Sequence, residues 1–138
     1  MPTARDVMAT DVLTIPHTTS VGEAIQMLLA GEVECAPVID GGGRLLGFVS
    51  EAQLLVVFYD DEVREERITA CLTDDVVSVE ADAPLADVGR KLNRSGAPRL
   101  AVLENGRLVG TISRADLVQR VAAAPLASRR AMAGSAAE

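Results

Sequence analysis

Gly106-Arg107-Leu108-Val109-Gly110-Thr111-Ile112-Ser113-Arg114-Ala115-Asp116-Leu117 has a near-copy earlier in the chain, Gly43-Arg44-Leu45-Leu46-Gly47-Phe48-Val49-Ser50-Glu51-Ala52-Gln53-Leu54. Each copy reads as an apolar strand that ends on a serine and turns into a helix, with Asp or Gln three places later in the pattern of a capping box. The likeness spreads outward. Met8-Ala9-Thr10-Asp11-Val12-Leu13-Thr14-Ile15 falls on Leu72-Thr73-Asp74-Asp75-Val76-Val77-Ser78-Val79 at a shift of 64, and dropping one residue of the Gly41-Gly42-Gly43 turn brings the later stretches into line. A duplicated unit of about 60 residues, repeating polar and glycine positions as well as apolar ones, predicts two similar substructures packed about a pseudo-twofold axis. Any ligand site is then expected in two versions.

Between these anchors the same order of elements is legible twice. Each repeat opens with a short helical turn and a β-rich stretch, Val12 to Ile15 and Val76 to Val79. A helix follows in repeat 1 from near Thr19-Ser20, with Glu23 completing a capping box and Val21, Ala24, Ile25, Leu28 and Leu29 forming an apolar stripe. In repeat 2, Pro84 suits the first helical turn, and Leu85, Val88 and Leu92 give a thinner stripe interrupted by Gly89. Two strands then flank a tight turn: Ala36 to Ile39 and Leu45 to Val49 around Asp40-Gly41-Gly42-Gly43, Leu100 to Leu103 and Leu108 to Ile112 around Glu104-Asn105-Gly106. Closing helices begin at Ser50 and Ser113, so the fold class is α+β, two β-α-β-β-α repeats. The expected boundaries are 1–58 for repeat 1, 59–67 for a charged, solvated, helical connector and 68–122 for repeat 2, with a disordered tail over 123–138. Gly47 and Gly110, repeated inside strands, predict a close backbone approach or a bulge.

Composition narrows the function. Hydrophobic residues make up 49% of the 138 but aromatic residues only 2%, so the core is aliphatic. Neither half is expected to be self-sufficient. A net charge of -7 argues against a nucleic-acid surface, since phosphate backbones reward clustered basic charge. The longest apolar run, Leu54 to Tyr59, is too short for a membrane span, and the early Arg5-Asp6 does not suit an export signal, so a cytoplasmic address is expected. Cys35 and Cys71 stand at non-equivalent places without metal or redox spacing and read as buried free thiols. His17, the sole histidine, has Ala81 at its counterpart and reads as an exposed turn residue. With no Gly-rich phosphate loop, metal cluster or activated nucleophile, the chain is expected not to be an enzyme and to require no cofactor.

The duplicated β-α-β-β-α order, with Gly-Arg-Leu-Val-Gly-Thr-Ile-Ser-Arg-Ala-Asp-Leu and its partner Gly-Arg-Leu-Leu-Gly-Phe-Val-Ser-Glu-Ala-Gln-Leu, resembles a tandem pair of CBS domains, the regulatory modules named after cystathionine β-synthase. The resemblance covers residues 3 to 122 or so. It implies a sensor for an adenosine-containing ligand (AMP, ADP, ATP or S-adenosylmethionine) acting on a separate, unknown effector protein. It also implies a disc-like homodimer with Leu54, Leu55 and Val118 as contacts.

Two readings attach to Ser113-Arg114-Ala115-Asp116. As a capping box it adds about 0.5 to 2 kcal/mol to its helix and needs no ligand. As a ligand site it offers unpaired amides and the positive end of a helix to phosphate, with Arg114 as a charge-assisted fork. The resemblance implies Ser113 toward phosphate and Asp116 on the ribose hydroxyls, with Met8, Leu13, Val33, Glu34 and Cys35 completing the pocket; core packing is the alternative for Met8, Leu13 and Val33. The matching positions around Ser50 and Gln53 are Leu72, Val77, Ala97, Pro98 and Arg99. There Gln53 replaces the carboxylate and Glu51 sets a negative charge where phosphate would sit, so this second pocket is expected to be degraded. The alternative function is a structural homodimerisation module whose pockets are vestigial.

Overall fold

The computed structural model describes residues 2–73 and 76–123; the tail expectation lies outside them. Contacts divide the chain into two compact units, and the division does not follow the sequence repeats. One unit, here the N-terminal unit, takes the described residues of 12–76 with Gly106–Leu108; the other, the C-terminal unit, takes residues 2–11, Val77–Asn105 and 109–123.

The N-terminal unit carries a three-stranded sheet in the order β1 (Ile15–Pro16), β2 (Cys35–Ile39), β3 (Leu45–Ser50). β1 runs parallel to β2, with Ile15 opposite Val38, and β2 runs antiparallel to β3. The β-rich stretch expected over Val12 to Ile15 is therefore realised later and shorter. Propensity marks where extended backbone is comfortable, whereas the ladder begins only where β2 supplies partners, and an edge strand tolerates Pro16 because it need not donate on its free side.

Asp40 closes the β2–β3 turn, its Oδ1 accepting the amides of Gly42 and Arg44 at 2.9 Å each. Gly43 takes φ +83° there, a conformation glycine adopts without steric penalty. Hydrogen bonds from the Arg44 and Gly42 amides hold the Asp40 carboxyl below its ordinary value.

Helix α2 (Val21–Gly31) starts as its sequence predicts: Ser20 Oγ accepts the Glu23 amide at 3.1 Å and Glu23 reaches back to the Ser20 amide. Val21, Ala24 and Leu28 enter the core with Ile15, Val38 and Val49. Leu29, assigned to the same stripe, is 63% exposed. It follows Leu28 by one residue, about 100° around the helix, and so sits beyond the buried face.

The closing helix of repeat 1 is a single α-turn, α3 (Glu51–Leu54), continued as a 3-10 turn over Leu55–Phe58. The connector forms another 3-10 turn, Asp61–Glu65, with no buried residue. The opening turn of repeat 2, Ile68–Cys71, belongs to this unit: Ile68 is fully buried in its core, and the Ile68 amide donates to Thr19 O at 2.7 Å. Burial raises the Cys71 thiol above its ordinary value, with the Glu66 charge acting in the same direction.

The C-terminal unit repeats the plan. Its sheet is β4 (Ser78–Glu80), β5 (Arg99–Glu104), β6 (Arg107–Ser113) in that order, with β4 parallel to β5. The β5–β6 turn has Asn105 and Gly106 both at positive φ, the backbone that Asn-Gly favours between paired strands. Helix α4 (Leu85–Ser95) buries Leu85, Val88 and Leu92, as its stripe predicts.

Here the opening segment comes from repeat 1. In α1 (Ala4–Val7), Ala4 is fully buried among Val79, Val88, Leu100 and Ile112, and the Ala4 and Arg5 amides donate to Ala83 O and Ala81 O. Ala9 and Thr111 exchange backbone hydrogen bonds of 2.9 and 3.0 Å. α5 (Arg114–Ala123) closes the unit.

The two strand glycines mark where these opening segments cross. A Cβ on Gly47 would stand 3.3 Å from the Leu72 side chain and 3.4 Å from Thr73 O. One on Gly110 would stand 2.7 Å from Ala9 O and 2.8 Å from Met8 Sδ. Close approach therefore explains both, and at Gly47 the β2–β3 register also shifts, between Val38 and Ile39.

Candidate functional site

Strand β6 delivers Ser113 to the start of α5. Its amide donates to Asp116 Oδ2 at 2.8 Å, and its Oγ accepts the Asp116 amide at 3.2 Å, with both residues half-buried. The capping box is thus formed. Only the Oδ2 oxygen of Asp116 takes part, so among the described residues Oδ1 is left as an acceptor at the head of a ten-residue helix.

Arg114 lies between them in sequence but points its guanidinium elsewhere. Nη1 donates to Ala97 O at 2.8 Å and Nη2 to Leu92 O at 2.9 Å, so the fork expected on phosphate is directed at the end of α4. Met8 lies against Gly110, three residues before Ser113. Thr111 shares the Ser113 face of β6 by strand alternation. Its hydroxyl is buried, at 1% exposure, and finds no hydrogen-bond partner among the described residues. Nothing in the sequence marks Thr111, because a threonine in a strand carries no signal of burial.

Val77, Ala97 and Arg99, assigned by resemblance to the second pocket, are also in this unit. Val77 O accepts the Ala101 amide, Ala97 follows Gly96 at the end of α4, and half-buried Arg99 opens β5.

In the N-terminal unit the equivalent of Ser113 and Asp116 is Ser50 and Gln53. Gln53 Oε1 accepts the Ser50 amide at 2.8 Å and its hydroxyl at 2.9 Å, so a neutral amide completes the same box. The helix it heads is one turn long, too short to build an appreciable macrodipole. Leu72 packs on Gly47; Leu13 and Val33 lie against Gly31, at 3.2 and 3.8 Å from where its Cβ would be. Glu34 is exposed, with its carbonyl accepting the Glu51 amide at 2.9 Å, and Cys35 pairs with Ser50 in the ladder. The site residues inferred from resemblance therefore fall as Ser113, Arg114, Asp116 and Met8 in one unit and Leu13, Val33, Glu34 and Cys35 in the other.

A concavity lies wholly in the N-terminal unit. Ile25, Leu28, Leu29, Leu55 and Phe58 line a groove of about 310 Å³, with Glu51 and Arg64 as its charged members. Phe58 and the adjoining Tyr59 are 88% and 81% exposed, an unusual display for a chain with only three aromatic residues. Leu55 faces outward with them, whereas Leu54, expected as a contact, is buried in the unit's own core. Val118, the remaining expected contact, is exposed on α5.

Among the described residues, no group of three or more His, Cys, Asp and Glu is placed to hold a metal, and no helix is long and apolar enough to cross a membrane.

A family model described as the CBS domain matches residues 4–60 and again 66–123, so this chain belongs to the CBS domain family as a tandem pair. It is 30% identical over 115 residues to the protein MJ1225 of Methanocaldococcus jannaschii, covering 83% of this chain and 41% of that one. It is 32% identical over 119 residues to an A-adding tRNA nucleotidyltransferase of Aquifex aeolicus, covering 85% of this chain and 14% of the relative. The chain thus spans less than half the length of either curated relative. Among solved structures, CBSX2 in complex with AMP is similar with a TM-score of 0.78 at 26% identity, covering 87% of this chain and 96% of that one.

Proposed function

We propose that this chain is a ligand-sensing CBS pair that takes an adenosine-containing nucleotide at the head of α5 and modulates a separate partner protein in the cytoplasm. One observation carries the reading: Ser113 and Asp116 meet, half-buried, at the start of a ten-residue helix, with one carboxylate oxygen left over among the described residues. The helix start attracts phosphate, and a carboxylate accepts two adjacent ribose hydroxyls. The AMP held by CBSX2 gives the ligand class, with ADP, ATP and S-adenosylmethionine as the other members to be tried. The Ser50–Gln53 counterpart has neither the carboxylate nor the long helix and serves as the weaker site. The role is binding, not catalysis.

Melting the protein against this nucleotide panel tests the proposal. A ligand at 100 times its Kd adds about 2.7 kcal/mol to stability. If no adenosine compound moves the melting temperature of the wild-type protein, the sensor reading fails.

The groove with exposed Leu29, Leu55 and Phe58 favours a second reading, a structural homodimerisation module whose pockets are vestigial; the dimer itself is shared with the first reading. Burying such a patch is worth roughly 25 cal/mol per Å² of apolar surface. Sedimentation of the wild type as a dimer and of Leu55→Asp as a monomer is the expected result; an unchanged mass distribution would remove this face from the interface.

A further inference from the structure

The duplication makes Arg114 informative, because the two long helices both end on a left-handed residue, Glu32 and Gly96, yet satisfy their last carbonyls with different partners. In α2 the Leu28 carbonyl accepts the amides of Glu32 and, at 3.1 Å, Val33, so the chain caps its own helix. The aligned residues in repeat 2 are Leu92 for Leu28 and Ala97 for Val33. There the Leu92 carbonyl accepts both the Ser95 hydroxyl, at 3.4 Å, and Arg114 Nη2, at 2.9 Å, the Ala97 amide turns to Ser95 Oγ at 3.1 Å, and the Ala97 carbonyl receives Arg114 Nη1 at 2.8 Å. A cation at a helix C-terminus meets the negative end of the dipole as well as orphan carbonyls. Repeat 1 has Glu51 at the aligned position, which makes no such tie.

We propose that Arg114 is a positioning residue for the site of the proposed function: by clamping the first residue of α5 to the end of α4, it sets where Ser113 and Asp116 stand and makes no phosphate contact itself. The proposal rests on the nucleotide reading of Ser113 and Asp116. A rigid two-carbonyl fork fixes both the height and the rotation of the α5 start, which one flexible ammonium cannot reproduce. Loosening it lets Asp116 stray from the ribose, which every adenosine ligand carries, so adenosine itself is weakened even though it has no phosphate.

The experiment is calorimetric titration of wild type, Arg114→Ala and Arg114→Lys with adenosine and with AMP, alongside their melting temperatures. Arg114→Ala is expected to weaken adenosine about tenfold through the displaced Asp116 and AMP by at least as much, since Ser113 moves with it. Arg114→Lys is expected to do the same to a smaller extent, and it supplies the measurement if the alanine variant does not fold. Loss of AMP affinity with adenosine unchanged, restored by lysine, would make Arg114 a phosphate ligand and overturn the proposal. So would a lowered melting temperature with both affinities intact, the mark of a purely structural tie. Wild-type protein that takes up neither compound overturns the nucleotide reading itself, a failure distinguishable because it appears before any substitution.

Discussion

The carbonyl oxygen of Ala9 occupies the space a side chain on Gly110 would need, 2.7 Å from the position of its Cβ. Ala9 belongs to the opening segment of repeat 1 and Gly110 to the last strand of repeat 2, so the contact records how the C-terminal unit is closed by chain from the other repeat. The same crossing at Gly47 meets the flexible Leu72 side chain at 3.3 Å and the backbone Thr73 O at 3.4 Å. Gly110→Ala is therefore expected to lower unfolding free energy in urea by about 2 to 4 kcal/mol, and Gly47→Ala by clearly less, because forcing a paired backbone segment aside costs more than a slight adjustment. Equal losses would mean that the opening segments are not held where described.

Asp116 and Gln53 complete the same capping box with different chemistry. Asp116→Gln transplants the repeat 1 solution into repeat 2 and is expected to keep stability within about 0.5 kcal/mol. A charged hydrogen bond is worth about 1.5 to 3 kcal/mol, so adenosine affinity should fall by roughly ten- to a hundredfold. Titration calorimetry paired with denaturation separates the two effects, and a variant that binds as well as wild type would assign Asp116 to the cap alone.

Thr111 carries a buried hydroxyl with no partner among the described residues. Replacing it with the nearly isosteric valine removes the desolvation penalty of that group, so Thr111→Val is expected to stabilise the ligand-free protein by about 1 kcal/mol. Thermal and urea unfolding check this. A destabilised variant would show that the hydroxyl is hydrogen-bonded in solution.

Asp40 gives a pH-dependent stabilisation with a definite sign. Its folded carboxyl titrates below the ordinary 3.8 because the Arg44 and Gly42 amides favour the charged form. The contribution is present above 3.8 and is lost as pH falls through the lower folded value. Asp40→Asn keeps a turn acceptor but cannot titrate, so the stability gap between wild type and variant should be constant near neutrality and change only in acid. A gap that changed between pH 6 and pH 8 would point to another group.

The duplication, the strand-to-serine-to-helix junctions, the Ser20 cap of α2, the aliphatic core and the Asp116/Gln53 asymmetry were all legible in the residues, because each depends on local periodicity or on chemistry within a few positions. Gly47 and Gly110 announced a close approach without saying what approached. Tertiary structure decided that Ala4 closes the C-terminal unit and Ile68 the N-terminal one, since long-range pairing is chosen by complementary surface that no local pattern encodes. It also decided that Leu29 faces outward, that the Thr111 hydroxyl is sealed in, and that Arg114 reaches the carbonyls of α4 while its neighbours crown α5. A long side chain at a helix start has several acceptors within reach, and only the packed fold brings Leu92 and Ala97 to the two it takes.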